Sequence, residues 1–390
     1  MSWREKTIFV TGATGFIGGR ICERLVQAGA THVRALVHTL PRAARIARLP
    51  ITLCPGNLLE RSSLEPAMGD SQIVIHCGLA PARGIVRTTE NMLEVAHARG
   101  VERFVHISTA AVHGMTPPPG TESEDVPPRP SGDAYCDNKA RAEKLVARFS
   151  RRGLPSVVLR PSIVYGPFSA WSTRLIAELR AGRTTLIDGG RGACNTTYVD
   201  NLVDAIFLSL EKDRAVGEVF FVTDGERVTW GDFIRAHAAM MDPPPALREI
   251  SRDDVLAYYH RQPGIVVGSF QATAQVLRSR EFRKQLERIP LCERSLALLW
   301  RWLQSRSEEQ RERLRLRLGL SANHVYSSPD QAAPHIPDPV TFATQTGSVF
   351  FRIDKACRLL GYQPRIPFSR AIGLVERWLR VANYLTEEAA

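Results

Sequence analysis

The chain has 390 residues, 44% of them hydrophobic and 23% charged, and a formal net charge of +11. That length buries a substantial core in one large domain or two, and the composition is that of a soluble globular protein rather than a disordered or collagenous one. The seven cysteines are scattered, with no C-x-x-C pair and no Cys/His cluster at zinc spacing, so neither a disulfide framework nor a metal site is expected.

Such cysteine usage fits a reduced, cytoplasmic setting. The first strand begins near Lys6, which leaves no room for a signal peptide, and no apolar run reaches the roughly 18 residues that suggest a spanning helix.

In chain order, short β-rich runs alternate with helical patterns. Strands are predicted at Thr7–Thr11, Val33–Val37, Ile51–Cys54, Ile73–Cys77, Arg103–Ser108 and Ser156–Leu159. Helices are predicted between them at Ile17–Ala28, Arg42–Arg48, Ser62–Ala67, Thr88–Arg99 and Tyr135–Ser150. This rhythm predicts α/β architecture, a doubly wound parallel sheet of the Rossmann type. Ile73–Ile75 and Phe104–Ile107 are almost wholly apolar, as strands covered on both faces are. The proline runs at 117–119 and 127–130 mark a loop before the Tyr135 helix.

Beyond Pro161 the elements shorten. A helix is predicted at Val199–Leu210, a strand at Val219–Thr223 and a helix at Trp230–Met240. Residues 243–345 read as a helical, Arg-rich insertion without βα rhythm. A strand at Val349–Ile353, a helix at Lys355–Leu360 stopped by Gly361, and a helix at Phe368–Ala382 close the chain. The expected domains are a dinucleotide-binding unit over 1–165, rejoined by about 196–224, and a smaller substrate-binding unit from 166–195 and 225–390 that carries the insertion.

Thr11-Gly12-Ala13-Thr14-Gly15-Phe16-Ile17-Gly18 follows a strand and opens a helix. Gly12 permits a tight turn, Gly15 lets backbone N–H groups approach a pyrophosphate, and Gly18 allows close helix–strand packing. The helix start offers unpaired donors and partial positive charge to phosphates. An acid ending the second strand would accept from the ribose hydroxyls and repel a 2′-phosphate. Here His38 stands there, followed by Arg42 and Arg45, so NADP is preferred over NAD.

Tyr135 and Lys139 are four residues apart, which places a phenol and an ammonium on one helix face. An ordinary tyrosine ionises near pH ~10, and a nearby ammonium favours the phenolate. A hydroxyl is expected at the end of the fifth strand, where Ser108 and Thr109 stand.

Together with Gly56-Asn57-Leu58, Ile75-His76-Cys77-Gly78-Leu79-Ala80, the Ser108–Gly114 run, Arg160-Pro161-Ser162-Ile163-Val164-Tyr165-Gly166-Pro167 and Tyr198-Val199-Asp200-Asn201-Leu202, these features resemble the extended short-chain dehydrogenase/reductase family. The resemblance covers Thr7 to about Asp242 and resumes from about Val340. It implies that Thr109 orients a substrate oxygen, that Tyr135 passes the proton, and that Lys139 lowers the phenol's pKa and binds ribose. It further implies that the turn from Gly12 through Thr14, Phe16 and Ile17 holds the cofactor, with Asn57 and Leu58 beside adenine. Cys77, Gly78 and Leu79 would line the cofactor by backbone, and Pro161 and Ile163 would sit by the carboxamide.

The sequence departs from the family pattern in several places. Asn57 replaces an Asp, and His113 replaces a Tyr. Ala110-Ala111 lacks the acid pair of nucleotide-sugar dehydratases, and Cys194 stands where nucleotide-sugar enzymes carry an Arg, with Arg191 as a substitute. The Tyr-Val-Asp-Asn run and the C-terminal segment are similar to the 3β-hydroxysteroid dehydrogenase branch, which implies NAD(P)-dependent hydride transfer on an alcohol or ketone of a hydrophobic molecule. The alternatives are a nucleotide-sugar epimerase with retained NAD and a non-catalytic dinucleotide-sensing scaffold. Arg83, His113, Phe168 and Arg191 are the weaker candidates for substrate contact. His76 and His106 are expected as core histidines.

Between Arg278 and Arg317 stand twelve Lys/Arg against six Asp/Glu, interleaved with Leu and Trp. This stretch, 278–320, reads foremost as an amphipathic cap with solvated arginines and secondarily as a peripheral membrane contact. Nucleic-acid binding is not expected from so modest a charge. The expected partner is a small-molecule substrate, with a homodimer left open.

Overall fold

The structure, a computed structural model, describes residues 2–261 and 335–385. The chain divides into two compact units, residues 1–250 with 335–390, and residues 251–334. Of the second unit only 251–261 is described, and it contains one helix, Arg252–Arg261. The basic stretch 278–320, with its expected cap or membrane role, lies outside the described residues.

In the first unit, strands β1 (Thr7–Thr11), β2 (His32–Val37), β3 (Thr52–Pro55), β4 (Ile73–His76), β5 (Arg103–Ile107) and β6 (Ser156–Pro161) alternate with helices α1 (Phe16–Gln27), α2 (Arg61–Met68), α3 (Ile85–Ala98) and α4 (Ala134–Arg151). Short strands β7 (Ile163–Tyr165), β8 (Thr185–Ile187) and β9 (Thr196–Tyr198) follow, with α5 (Ala170–Arg180) between the first two. Then come α6 (Val199–Glu211), β10 (Val219–Val222), α7 (Trp230–Ala238) and β11 (Arg248–Ile250). After the Arg252–Arg261 helix (α8), three helices close the description: α9 (Pro339–Gln345), α10 (Asp354–Leu360) and α11 (Phe368–Val381).

Seven strands form one parallel sheet in the order β10-β6-β5-β4-β1-β2-β3. Because side chains alternate along a strand, each strand feeds two cores. Ile8, Val10, Ile75, Val105 and Leu159 face the cluster that holds Ile21 and Leu25 of α1 and Leu202 and Ile206 of α6. Phe9, Val74, Phe104 and Val158 face Leu64 of α2, Met92 of α3, and Val146 and Phe149 of α4. Burial on both faces explains the nearly unbroken apolar runs read in β4 and β5.

The sheet turns back at β1, which has β2 on one side and β4 on the other. A crevice at the carboxyl ends of β1 and β4 is where open α/β sheets take ligands. On the second face the last row of side chains is polar: Thr11, His76, His106 and Arg160, all buried, lie at or next to the ends of four adjacent strands.

Three expectations need correction. The helix at Arg42–Arg48 is only a 3-10 turn at Leu40–Ala43 followed by further turns. Val349–Ile353 pairs with no strand among the described residues. The buried Asn195 side chain acts as its partner, donating to the Val349 carbonyl at 2.9 Å and accepting from the Phe351 N–H at 2.9 Å. The 243–345 segment is not without strand structure, since Arg248–Ile250 pairs in parallel with β8. β7 and β9, a further parallel pair, were too short to register as periodic runs.

Candidate active site and cofactor cradle

Gly12 has φ +68°, and a Cβ there would lie 2.7 Å from the Cys77 carbonyl oxygen, so only glycine fits the turn. A Cβ on Gly18 would stand 2.2 Å from the Gly12 carbonyl oxygen. Gly15 caps α1 without any side-chain hydrogen bond, so the N–H groups that open the helix are left for another acceptor. An anionic diphosphate fits that cradle. Thr11 closes it from behind: its hydroxyl accepts from Gly78 N–H at 3.1 Å and meets His76 Nδ1 at 2.8 Å. Leu58 is packed so closely against Gly78 that a Cβ on the glycine would come within 2.4 Å of it. Gly12, Cys77, Gly78 and Leu58 are therefore gathered at one place. Leu79 is 63% exposed beside them.

Asn57 uses its amide locally, donating to Glu60 and accepting from Leu59 N–H, each at 3.0 Å. His38 and Arg42 are exposed after β2, and no hydrogen bond or ion pair engages the Arg42 side chain among the described residues. Arg45 differs. It pairs with Glu23 at 2.8 Å, reaches the Phe16 carbonyl at 3.3 Å, and lies 4.0 Å over the Phe168 ring. Of the two arginines that suggested a phosphorylated cofactor, only Arg42 remains uncommitted.

Thr109 follows β5, and Asp133 caps α4 by accepting from Cys136 N–H at 2.9 Å, which sets Tyr135 at the helix start. The Thr109 hydroxyl accepts from Ala111 N–H at 3.2 Å and lies near enough to the half-buried Tyr135 phenol to influence its ionisation. Burial pushes that phenol above its ordinary value. The Thr109 hydroxyl pulls it down, and Cys136 and Asp133 push it further up. Lys139 is buried and donates to the Ile107 carbonyl at 2.8 Å. Burial lowers its ammonium to about 8, against the upward pull of Glu143 and then Cys77. Lys139 thus sits behind the strand end. Its expected lowering of the phenol is not among the influences on Tyr135 in this arrangement.

Behind this set is a buried ionic cluster that the sequence reading did not identify. Glu143 accepts from Arg160 Nε at 3.0 Å and Nη2 at 2.7 Å, and also from the Ser108 hydroxyl. His113 Nε2 lies 3.4 Å from Arg160 Nη1, with the rings of Phe221 and Phe351 at 5.8 and 6.5 Å. Burial, then Arg160, lowers His113 to about 4. The available signal was the Glu four residues beyond Lys139, on the same helix face.

The weaker substrate candidates scatter. His113 belongs to the buried cluster and borders a cavity of about 630 Å³ lined also by Met115, Pro118, Arg129 and Ser131. Phe168 has φ +71° and bridges Arg45 to Trp378, whose ring is 5.0 Å away. Arg83 and Arg191 are exposed, in separate short turns. Pro161 ends β6, and Ile163 is anchored by its N–H to the Asn195 carbonyl at 3.0 Å. Among the described residues no group of three or more His, Cys, Asp or Glu could hold a metal ion, and no helix is long and apolar enough to cross a membrane.

Comparison with known proteins gives three kinds of match. The model of the NAD dependent epimerase/dehydratase family matches residues 8–222. A 4-hydroxy-2-methyl-3-oxo-4-farnesyl-3,4-dihydroquinoline-1-oxide ketoreductase of Stigmatella aurantiaca is 33% identical over 238 residues, which cover 58% of this chain and 70% of that one. A 2-alkyl-3-oxoalkanoate reductase of Stenotrophomonas maltophilia is 29% identical over 261 residues, 63% of this chain and 78% of that one. Among solved structures, a UDP-glucuronic acid 4-epimerase of Bacillus cereus in complex with NAD superposes with a TM-score of 0.64 at 19% identity, covering 96% of this chain and 99% of that one. At that identity the likeness establishes the fold.

Proposed function

The chain belongs to the NAD dependent epimerase/dehydratase family, and from that premise we propose a reaction for it: hydride transfer between a nicotinamide dinucleotide and a ketone or secondary alcohol of a hydrophobic small molecule. The chain is an enzyme of the extended short-chain dehydrogenase/reductase type, as its relatives are. The observation that carries the reading is Thr109 at the carboxyl end of β5 with the Tyr135 phenol near it at the start of α4, on the same sheet edge as the glycine turn after β1.

In this reading the Gly12–Gly18 turn and the first N–H groups of α1 hold the diphosphate, and Leu58, Asn57 and Cys77–Leu79 line the adenosine side. Pro161 and Ile163 flank the carboxamide, and Lys139 holds the ribose. The bound dinucleotide supplies the hydride. Thr109 and Tyr135 grip the substrate oxygen from one side. Because burial raises the phenol, Tyr135 is protonated at neutral pH and suited to donate its proton as an alkoxide forms. That favours ketone reduction, the activity that the names of both curated relatives print. Arg42 and His38 favour NADP over NAD, whereas Arg45 adds nothing because Glu23 holds it.

The test is purified protein with NADH or NADPH and two substrate panels, 2-alkyl-3-oxoalkanoates with aromatic ketones, and UDP-sugars. Consumption of reduced cofactor with ketones alone supports the reading. Protein isolated with NAD retained, interconverting UDP-sugars without net cofactor consumption, would instead make it an epimerase.

A further inference from the structure

Glu143 stands one helical turn beyond Lys139 on α4, buried, with a carboxylate that serves three elements at once. Its oxygens accept from Arg160 Nε at 3.0 and 3.2 Å and from Nη2 at 2.7 Å. They accept also from the Ser108 hydroxyl. Ser108 is the residue before Thr109, and Arg160 is the residue before Pro161. One carboxylate therefore ties the ends of β5 and β6 to the helix that carries Tyr135 and Lys139.

We propose that Glu143 is a positioning residue for the reaction, clamping those two strand ends to α4 and supplying the negative charge that keeps the Lys139 ammonium protonated. The proposal rests on the role given above to Lys139. The groups facing Lys139 leave Glu143 as its main source of charge. From α4 comes Glu143, paired with the Arg160 guanidinium of β6. From β4 and the turn after it come His76, lowered by burial to about 3, and Cys77, raised by burial to about 12. From β5 come the Ile107 carbonyl and His106, which burial also keeps neutral. Glu143 leads the influences that hold the ammonium up against burial. A pair serving the fold alone is replaceable by apolar side chains of similar volume. The charge that Lys139 senses is not.

The experiment follows the fluorescence of reduced nicotinamide dinucleotide on binding, from pH 6 to 9, with turnover measured alongside. Wild type, Lys139→Met, Glu143→Gln and the apolar pair Glu143→Leu with Arg160→Met are compared. Wild-type affinity should hold to about pH 8 and fall above it, and Lys139→Met should be weak and flat with pH. The apolar pair, confirmed folded by its melting transition, should begin its fall about one pH unit lower, about a tenfold change in the protonated fraction at a given pH. Turnover should drop with it. Glu143→Gln, which leaves the Arg160 charge in place, should shift at least as far, and it decides the matter if the pair does not fold. A wild-type pH profile in the folded charge-removed variants overturns the role of Glu143. A wild-type profile in Lys139→Met overturns the role of Lys139 itself.

Discussion

At position 18 a single methyl group would collide with the backbone that makes the phosphate turn, since a Cβ there lies 2.2 Å from the Gly12 oxygen. Gly18→Ala is expected to lower stability by about 2–4 kcal/mol and to weaken dinucleotide binding more than tenfold, because the turn and α1 must separate. Urea unfolding and a cofactor titration on the same preparation check both. Residues of this kind were legible in the sequence because their spacing carries the chemistry: three glycines at a strand–helix junction, and a Tyr and Lys on one helix face. Glu143, and its joining of Ser108 to Arg160, were not. A Glu four residues after a Lys on a helix reads as an ordinary surface pair, and only the packing of β5 and β6 against α4 buries it. Arg45 shows the converse, since proximity in sequence to His38 suggested a phosphate ligand and the fold gave it to Glu23.

Side chains that replace strand partners and hold segments together dominate at the scale of elements. Asn195 stands in for a neighbour of 349–351, and Asn201 binds the Arg365 and Ile366 N–H groups at 3.1 Å each while donating to the Ile366 carbonyl. Asp200 joins α6 to α1 through Arg20 at 2.6 Å. These contacts give the Tyr-Val-Asp-Asn run a structural purpose. Asp224 completes it, accepting from Tyr198 N–H at 2.7 Å and Asn201 at 2.8 Å, and burial raises its carboxyl from 3.8 to about 6. A raised acid stabilises the fold fully below its unfolded value, and that contribution is lost as pH rises through the folded one. Asp224→Asn, which cannot ionise, should therefore gain stability relative to wild type between about pH 4 and pH 7, by about 1–3 kcal/mol. Chemical denaturation at several pH values checks it, and a constant difference would show that Asp224 does not titrate in that window. The central strands β1, β4 and β5 were readable because both faces are covered and their runs are largely apolar. The 349–353 segment misled because an extended run anchored by an amide side chain has the same pattern as a strand, and the short pairs β7–β9 and β8–β11 fall below the length at which periodicity is visible.

For the whole molecule, the sheet order explains why sites from distant stretches converge: the strand order reverses at β1, and the carboxyl ends of β1, β4, β5 and β6 bring residues 11–18, 77–79, 108–113 and 160–163 to one rim. That convergence was foreseeable from the βα rhythm. A ligand held along this rim should stabilise the first unit by linkage, about 2.7 kcal/mol at a hundredfold excess over Kd. A melting shift of several degrees with the preferred dinucleotide is expected, larger with NADPH than with NADH if Arg42 meets a 2′-phosphate. Equal shifts would remove the NADP preference.

The proposed reaction requires the phenol at position 135 to act as proton donor while taking little part in cofactor binding. Measuring Kd for reduced cofactor and steady-state turnover in Tyr135→Phe tests this most directly. Affinity within about threefold of wild type with turnover reduced roughly 10²–10⁴-fold is the predicted result. Turnover near the wild-type level in that variant would contradict it.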